Sequence, residues 1–228
     1  MLEHIKMISQ ILKNIKAELP KHVKLIAVSK TKPVEDIIEA YNCGQRLFGE
    51  NKVQEIVPKY EQLPKDIEWH FIGHMQSNKV KYIAPFISLI HGVDSTKLLE
   101  TIDKEAAKNN RVINCLLQVH IAREETKFGF DRDELMSFFS NKQYLNYNHV
   151  KICGLMGMAT FTDDFAQIHS EFRNLADLFK IIKSSYFSLE QYFSELSMGM
   201  SDDYKIAIEE GSTMVRIGSN IFGNRVYN

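Results

Sequence analysis

The chain has 228 residues, of which 44% are hydrophobic and 25% are charged, and its formal net charge is −1. This balance is typical of a globular protein with a sizeable core, and the nearly neutral charge excludes a general attraction to nucleic acid or to an anionic membrane surface. No apolar run is long enough to cross a membrane, and lysines interrupt the N-terminal segment where a signal peptide would need an apolar core.

Apolar periodicity and turn residues divide the chain into alternating helices and strands. An amphipathic helix comes first, and eight strands follow it, separated by helices or helical turns. The predicted helices cover residues 2–19, 33–44, 51–63, 76–83, 95–109, a segment opened by Asp131, a segment from Asp163 or Asp164 to Ile182, and a segment capped by Ser201 that ends near Gly211. The predicted strands cover residues 23–28, 47–49, 68–73, 87–93, 113–121, 150–156, 193–198 and 214–217.

Strict alternation of strand and helix predicts an α/β fold with a parallel sheet. Eight such units in a chain of this length fit a compact (β/α)₈ barrel of the TIM type, formed as a single domain by residues 1–228 with one extra N-terminal helix. An open doubly wound sheet is the alternative. It would need a glycine-rich phosphate loop after the first strand, and residues 29–33 contain no glycine.

Lys30 is the first candidate functional residue. It directly follows the apolar run 25–28 and Ser29, so it stands at the exit of a buried strand. In a barrel of this type the active site lies at the C-terminal ends of the strands. A lysine amine that is desolvated or close to another cation loses its proton more easily and forms a Schiff base with a carbonyl compound.

The loops after the last two strands form a second candidate site. Residues 197–203 and 216–220 contain glycines and serines, and barrels commonly bind phosphate with these two loops. Because the first strand of a closed barrel neighbours the eighth, this phosphate site would lie beside Lys30. A reactive amine next to a phosphate site fits a pyridoxal 5′-phosphate (PLP) pocket, and it also fits an aldolase that acts on phosphorylated sugars through a lysine Schiff base.

Several segments resemble those of the pyridoxal phosphate homeostasis protein family, the YggS/PROSC-type proteins. They occur in order over nearly the whole chain, so the set is more specific than any single motif. The matching segments are AVSKTKP (27–33), FGENKVQE (48–55), WHFIGHMQSNK (69–79), ETKFGF (125–130), GLMGMA (154–159), LSMGMSDD (196–203) and VRIG (215–218).

The resemblance implies a PLP-binding barrel of fold type III, related to the alanine racemase N-terminal domain. It implies that Lys30 carries PLP as a Schiff base. It also implies that Ser201, Gly218 and Ser219 hold the phosphate group, with Ser197 nearby. A serine hydroxyl and exposed backbone N–H groups are suitable donors for that anion.

Four further residues receive roles from the same resemblance. Arg216 would face the pyridine nitrogen, and a cation there keeps this nitrogen unprotonated and weakens the ring as an electron sink. Asn51 and Met156 would line the faces or edges of the ring. Lys127 matches a basic position close to the cofactor, and we expect it to be a second amine that helps to hand the cofactor on.

We therefore expect a protein that holds and distributes PLP without turning over a substrate, with PLP-dependent apo-enzymes as transient recipients and a monomer or weak dimer as its oligomeric state. Relatives that racemise amino acids carry a second domain that helps to supply the opposing acid/base group, and we expect none here. A fold-type III enzyme such as an amino-acid racemase and the cofactor-free aldolase remain the alternatives.

Metal and disulfide sites are not expected. His70 and His74 are four residues apart, but the first lies in a predicted strand and the second follows Gly73, so they do not share a helix face. The three cysteines are odd in number and far apart, which favours free thiols in a reducing cytoplasmic compartment.

Overall fold

The computed structural model describes residues 2–124 and 128–223, with side chains from residue 7 onward. Within this part of the chain, eight parallel strands form a closed barrel in which each strand pairs with the next and the last pairs with the first. The (β/α)₈ prediction is confirmed. The strands are β1 Lys24–Val28, β2 Leu47–Glu50, β3 Glu68–Phe71, β4 Leu89–Val93, β5 Ile113–Gln118, β6 Val150–Met156, β7 Glu195–Met200 and β8 Met214–Ile217.

Helices follow the strands and surround the barrel. Two short 3₁₀ helices, Ser77–Lys79 and Gln143–Asn146, lie in the connections before α4 and before β6. The α-helices of the described chain are α1 Leu2–Glu18, α2 Val34–Asn42, α3 Val53–Gln62, α4 Val80–Ile83, α5 Thr96–Lys108, α6 Arg132–Ser140, α7 Phe165–Tyr186, α8 Tyr204–Glu209 and α9 Ser219–Phe222. None of the helices described is both long and apolar enough to cross a membrane.

Side-chain caps set the start of three helices. The Ser95 hydroxyl accepts a hydrogen bond from the backbone N–H of Leu98, and Asp131 forms a capping box with Glu134. Asp164, rather than Asp163, caps α7. These caps confirm the predicted helix starts at residues 95 and 131 and decide between the two aspartates at the third.

The bounds of four strands and one cap were predicted wrongly. The third strand ends at Phe71 rather than at residue 73, and the fourth begins at Leu89 rather than at residue 87. The fifth strand ends at Gln118 rather than at residue 121, because Val119 bridges Phe130 beyond the barrel ladder. The seventh strand spans Glu195–Met200 rather than 193–198, and Phe193 is buried in the outer core. Ser201 does not cap α8, since its hydroxyl accepts the N–H of Gly218 from the loop after β8.

The core has two layers. The outer layer fills the space between the barrel and the helices, and Trp69, Phe139 and Phe172 are among its fully buried members. The barrel interior holds a smaller cluster that closes the space below the functional end of the strands. Its buried members are Ile26, Leu89, Leu116, Cys153, Met156 and Met214.

Candidate functional site

A cavity of about 340 Å³ opens where β1, β2, β3, β6, β7 and β8 end. Its walls come from residues that lie at, or just after, the C-terminal ends of these strands, the usual position of a barrel active site. Six of the nine residues predicted to bind a cofactor line this one cavity: Lys30, Asn51, Ser201, Arg216, Gly218 and Ser219.

A buried polar cluster lies directly behind Lys30. The hydroxyl of Ser29 donates to Oε1 of Glu50 over 2.6 Å, and the Lys59 ammonium donates to the same oxygen over 2.7 Å and to the Ser29 carbonyl over 2.9 Å. Burial raises the pKa of the Glu50 carboxyl, and the Lys59 charge opposes this effect. The cluster ties the end of β1 to the end of β2 and so fixes the backbone from which Lys30 projects.

The backbone after Lys30 is fixed as well. Thr31 adopts a left-handed conformation with a φ of 63°, which is unfavourable for a β-branched residue. Its N–H donates to Oε2 of Glu55 over 2.6 Å, and this bond helps to hold the turn. Lys30 therefore stands between two anchored residues, an arrangement that suits a reactive side chain of defined position.

Asn51 lies at the end of β2 on another wall of the cavity. Its Oδ1 atom is buried and has no hydrogen-bond partner within the described residues. Gly73 allows the next connection to approach closely, since a Cβ atom there would lie 2.5 Å from the carbonyl oxygen of Asn51. A ligand that donates a hydrogen bond in this cavity would satisfy the orphaned oxygen.

Arg216 lies at the floor of the cavity, and the residue is only 4% exposed. It donates to the Ser197 hydroxyl over 2.6 Å and to the Gly157 carbonyl over 3.2 Å. Burial lowers the pKa of Arg216 to about 10, and the nearby carboxylate of Asp203 opposes this shift. Arg216 is therefore a cation at neutral pH.

Two buried histidines continue the hydrogen bonding below Ser197. The Nδ1 atom of His91 is 2.9 Å from the Ser197 hydroxyl, and the Nδ1 atom of His70 is 2.9 Å from Nε2 of His91. Burial lowers the pKa of His70 to about 3 and places the pKa of His91 well below its ordinary value. Both imidazoles are therefore neutral at physiological pH.

The loops after β7 and β8 meet at the far wall. The Gly218 N–H donates to the Ser201 hydroxyl over 3.3 Å, and the Asn220 amide donates to the Ser201 carbonyl over 3.0 Å. Gly199 begins this arrangement with a φ of 92°, and a Cβ atom there would lie only 2.5 Å from the Cβ of Ala207 in α8. This wall therefore presents hydroxyl and backbone donors, which suit a phosphate group.

Known proteins carry the same fold and much of the same sequence. The family described as "Alanine racemase, N-terminal domain" matches residues 4–226. The "Pyridoxal phosphate homeostasis protein" of Aquifex aeolicus is 43% identical over 205 residues, which cover 90% of this chain and 88% of that relative. This chain belongs to the pyridoxal phosphate homeostasis protein family.

Other relatives and solved structures agree with this assignment. The Synechocystis protein of the same name is 40% identical over 215 residues, 92% of this chain and 95% of its own. The structure of PipY from Synechococcus elongatus with PLP bound has a TM-score of 0.86 and 35% identity, and covers 95% of this chain and 100% of that one. An alanine racemase from Clostridium difficile, at 13% identity and a TM-score of 0.75, shares the fold.

Two of the residues that resemblance to the pyridoxal phosphate homeostasis protein family had indicated do not line the cavity, and a third falls outside the part of the chain that the structure describes. Ser197 lies beneath Arg216. Met156 is fully buried in the barrel interior, and Met158, two residues further along the chain, lines the cavity. Lys127 lies outside the described residues. The roles predicted for these three residues stay predictions.

Sequence reasoning missed several residues of the site. Lys32 lines the cavity and donates to the Phe222 carbonyl over 2.7 Å. Its position in the same loop after β1 as Lys30 could have identified it from the sequence. His91 was missed because a lone histidine in an apolar strand carries no motif. His74 does not line this cavity; it pairs with Asp94, its Nδ1 being 2.9 Å from the carboxylate.

Proposed function

We propose that this protein binds PLP in the cavity at the C-terminal ends of the strands, holds it as a Schiff base on Lys30, and passes it to other proteins. The observation that carries the proposal is the meeting of a primary amine, a buried guanidinium and a wall of hydroxyl and amide donors in one cavity. The orphaned Oδ1 of Asn51 supports the fit, because a hydroxyl-bearing ring would supply the missing donor. The names of the relatives, and PLP in the PipY structure, support it independently.

Each residue of the cavity has a role in this proposal. Bound PLP supplies an aldehyde and an electron-withdrawing ring. The Lys30 amine condenses with the aldehyde, so that a C=N bond forms and the carbonyl oxygen leaves as water. Ser201, Gly218 and Ser219 bind the phosphate through hydroxyl and backbone donors. Arg216 places its positive charge against the ring nitrogen and keeps that nitrogen unprotonated.

We infer carriage rather than catalysis from the ionisable groups around the cavity. Racemisation needs a second acid/base on the face opposite the lysine. Within the described part of the chain, no histidine, tyrosine or cysteine lines the cavity, and Lys32, the lysine nearest in sequence to Lys30, donates to the Phe222 carbonyl. An unprotonated ring nitrogen also makes the ring a weaker electron sink.

The remaining features of the proposal concern the protein in the cell. We propose a single domain of residues 1–228 that works in the cytoplasm as a monomer or weak dimer. PLP-dependent apo-enzymes are its transient recipients, and Lys127 assists the transfer.

Titration of apo-protein with PLP, followed by visible absorption, tests the proposal. Wild type and Lys32→Ala should develop a band that borohydride bleaches, and Lys30→Ala should not. Loaded wild type should then restore activity to an apo-enzyme without turning over free amino acids. The same band in Lys30→Ala would overturn the binding role of Lys30, and amino-acid turnover that Lys30→Ala abolishes would favour the racemase alternative.

A further inference from the structure

Four polar side chains cross the barrel interior in a continuous line. Arg216 on β8 contacts Ser197 on β7, Ser197 contacts His91 on β4, and His91 contacts His70 on β3, over distances of 2.6, 2.9 and 2.9 Å. All four side chains are less than 5% exposed. Buried polar groups of this kind are stable only when their hydrogen bonds are satisfied, so the direction of each bond matters.

The guanidinium sets the direction of the line. Arginine has donors and no acceptor, so the Ser197 hydroxyl must accept from Arg216. The hydroxyl proton then points to Nδ1 of His91, the other partner that the described residues provide. His91 is consequently protonated on Nε2 and donates to Nδ1 of His70, which carries its own proton on Nε2.

The opposite direction leaves a group unsatisfied. If His91 donated to Ser197 through Nδ1, the hydroxyl would accept two hydrogen bonds, and its own proton would have no acceptor among the described residues. An unmade hydrogen bond at a buried site costs about 1–3 kcal/mol. The charge of Arg216 also disfavours a positive charge on His91.

The line ends in polar surroundings that suit this direction. His70 lines a second cavity, of about 430 Å³, at the N-terminal end of the barrel. Glu68, Asn114 and Glu195 line the same cavity and offer acceptors, directly or through water, for a donor on His70. His70 therefore borders a polar cavity, which is compatible with a donor on its Nε2 atom in the tautomer that Arg216 dictates.

We propose that His91 and His70 are positioning residues that fix Ser197 as an acceptor and thereby hold the Arg216 guanidinium at the floor of the cofactor cavity. This inference rests on the proposed function, because the consequence is read at the ring nitrogen of bound PLP. Without an acceptor at position 91 the Ser197 hydroxyl turns, and Arg216 loses one of the two bonds that orient it. The ring nitrogen then gains a proton, and PLP binds more weakly.

The first experiment uses the apo-protein and is independent of PLP. Nitrogen NMR of protein labelled with ¹⁵N-histidine distinguishes the two neutral tautomers of each ring. We expect His70 and His91 to be neutral and protonated on Nε2 at pH 7, and Ser197→Ala to change the His91 signals most. A tautomer protonated on Nδ1, or a charged imidazole at either position, would overturn the proposal.

The second experiment compares variants of the full chain loaded with ¹⁵N-labelled PLP. His91→Phe removes the acceptor, whereas His91→Asn keeps an amide oxygen near the position of Nδ1. Leu116→Ala is the matched control, because it truncates a fully buried side chain of the barrel interior without touching the polar line. We expect His91→Phe to raise the PLP dissociation constant about three- to tenfold, the loss of one hydrogen bond.

The ring nitrogen gives a readout that simple destabilisation does not move. It should be unprotonated in wild type, His91→Asn and Leu116→Ala, and measurably protonated in His91→Phe. If His91→Phe does not fold, the histidine tautomers of wild type decide instead, because a ring protonated on Nδ1 overturns the inference and rings protonated on Nε2 support it. An affinity and a nitrogen signal of His91→Phe equal to those of wild type would overturn the inference and leave the proposed function intact. Failure of wild type to bind PLP would refute the proposed function, while the histidine tautomers would still judge the hydrogen-bond line.

Discussion

Acidification should destabilise this protein through His70. The pKa of a histidine in an unfolded chain is about 6.5, whereas burial lowers the pKa of His70 to about 3. At a pH between these two pKa values, residue 70 therefore binds a proton in the unfolded chain but not in the folded protein. The free energy of unfolding is therefore highest, as far as His70 is concerned, above pH 6.5, and it falls progressively as the pH falls toward 3.

The size of the effect follows from proton linkage. Between pH 7 and pH 5 the unfolded chain takes up most of one proton at residue 70, and the folded protein takes up almost none. The free energy of unfolding should fall by about 2 kcal/mol from this residue alone. His91 acts in the same direction, and Glu50 and Asp203, whose pKa values are raised by burial, act in the opposite one.

A comparison of variants isolates the contribution of His70. Urea unfolding can be followed by the fluorescence of Trp69, the one tryptophan of the chain, which is fully buried. Wild type should lose about 2 kcal/mol more between pH 7 and pH 5 than His70→Asn. His22→Asn, which alters an exposed histidine, should keep the wild-type slope. If His70→Asn loses as much stability as wild type, His70 is not the neutral buried group described.

Two further predictions concern the scaffold of the cavity. Lys59→Met leaves the buried Glu50 carboxylate without its partner and should lower the urea unfolding free energy by about 3–5 kcal/mol. The double variant with Glu50→Gln should recover much of this loss, and no recovery would contradict the ion-pair explanation. Gly199→Ala places a Cβ atom 2.5 Å from Ala207 and should weaken PLP binding by shifting the Ser201 loop. Gly211→Ala has a similar positive φ and no atom within 4 Å of the new Cβ, so equal PLP affinities of these two variants would refute the steric argument.

Local patterns were sufficient for the barrel but not for all of its strand ends. Apolar periodicity and caps such as Asp131 depend on residues close in sequence, and they predicted the number, type and order of the strands. The end of β5 depends on the bridge between Val119 and Phe130, which no periodicity reveals. Boundaries were therefore wrong where pairing partners, rather than side-chain patterns, decide the element.

Some residues of the site could be predicted from local sequence, and others depend on contacts between distant parts of the chain. The position of Lys30 follows from one strand and its exit, and its meeting with Gly218 follows from the closure of the barrel. The hydrogen bond between His91 and Ser197 joins residues that are 106 positions apart, so no local sequence pattern predicts it. Ser201 was predicted to cap a helix because a serine before a helical segment usually does so, but its hydroxyl contacts another strand end.

The covalent attachment of PLP can be located directly. Wild-type protein saturated with PLP is reduced with borohydride and digested, and its peptides are examined by mass spectrometry. We predict one stable adduct, on the peptide that contains Lys30, with fragment ions that assign it to residue 30 rather than to Lys32. Lys30→Ala should yield no adduct. Bound PLP without an adduct at Lys30, or an adduct on another lysine in wild type, would contradict the proposal that Lys30 holds the cofactor.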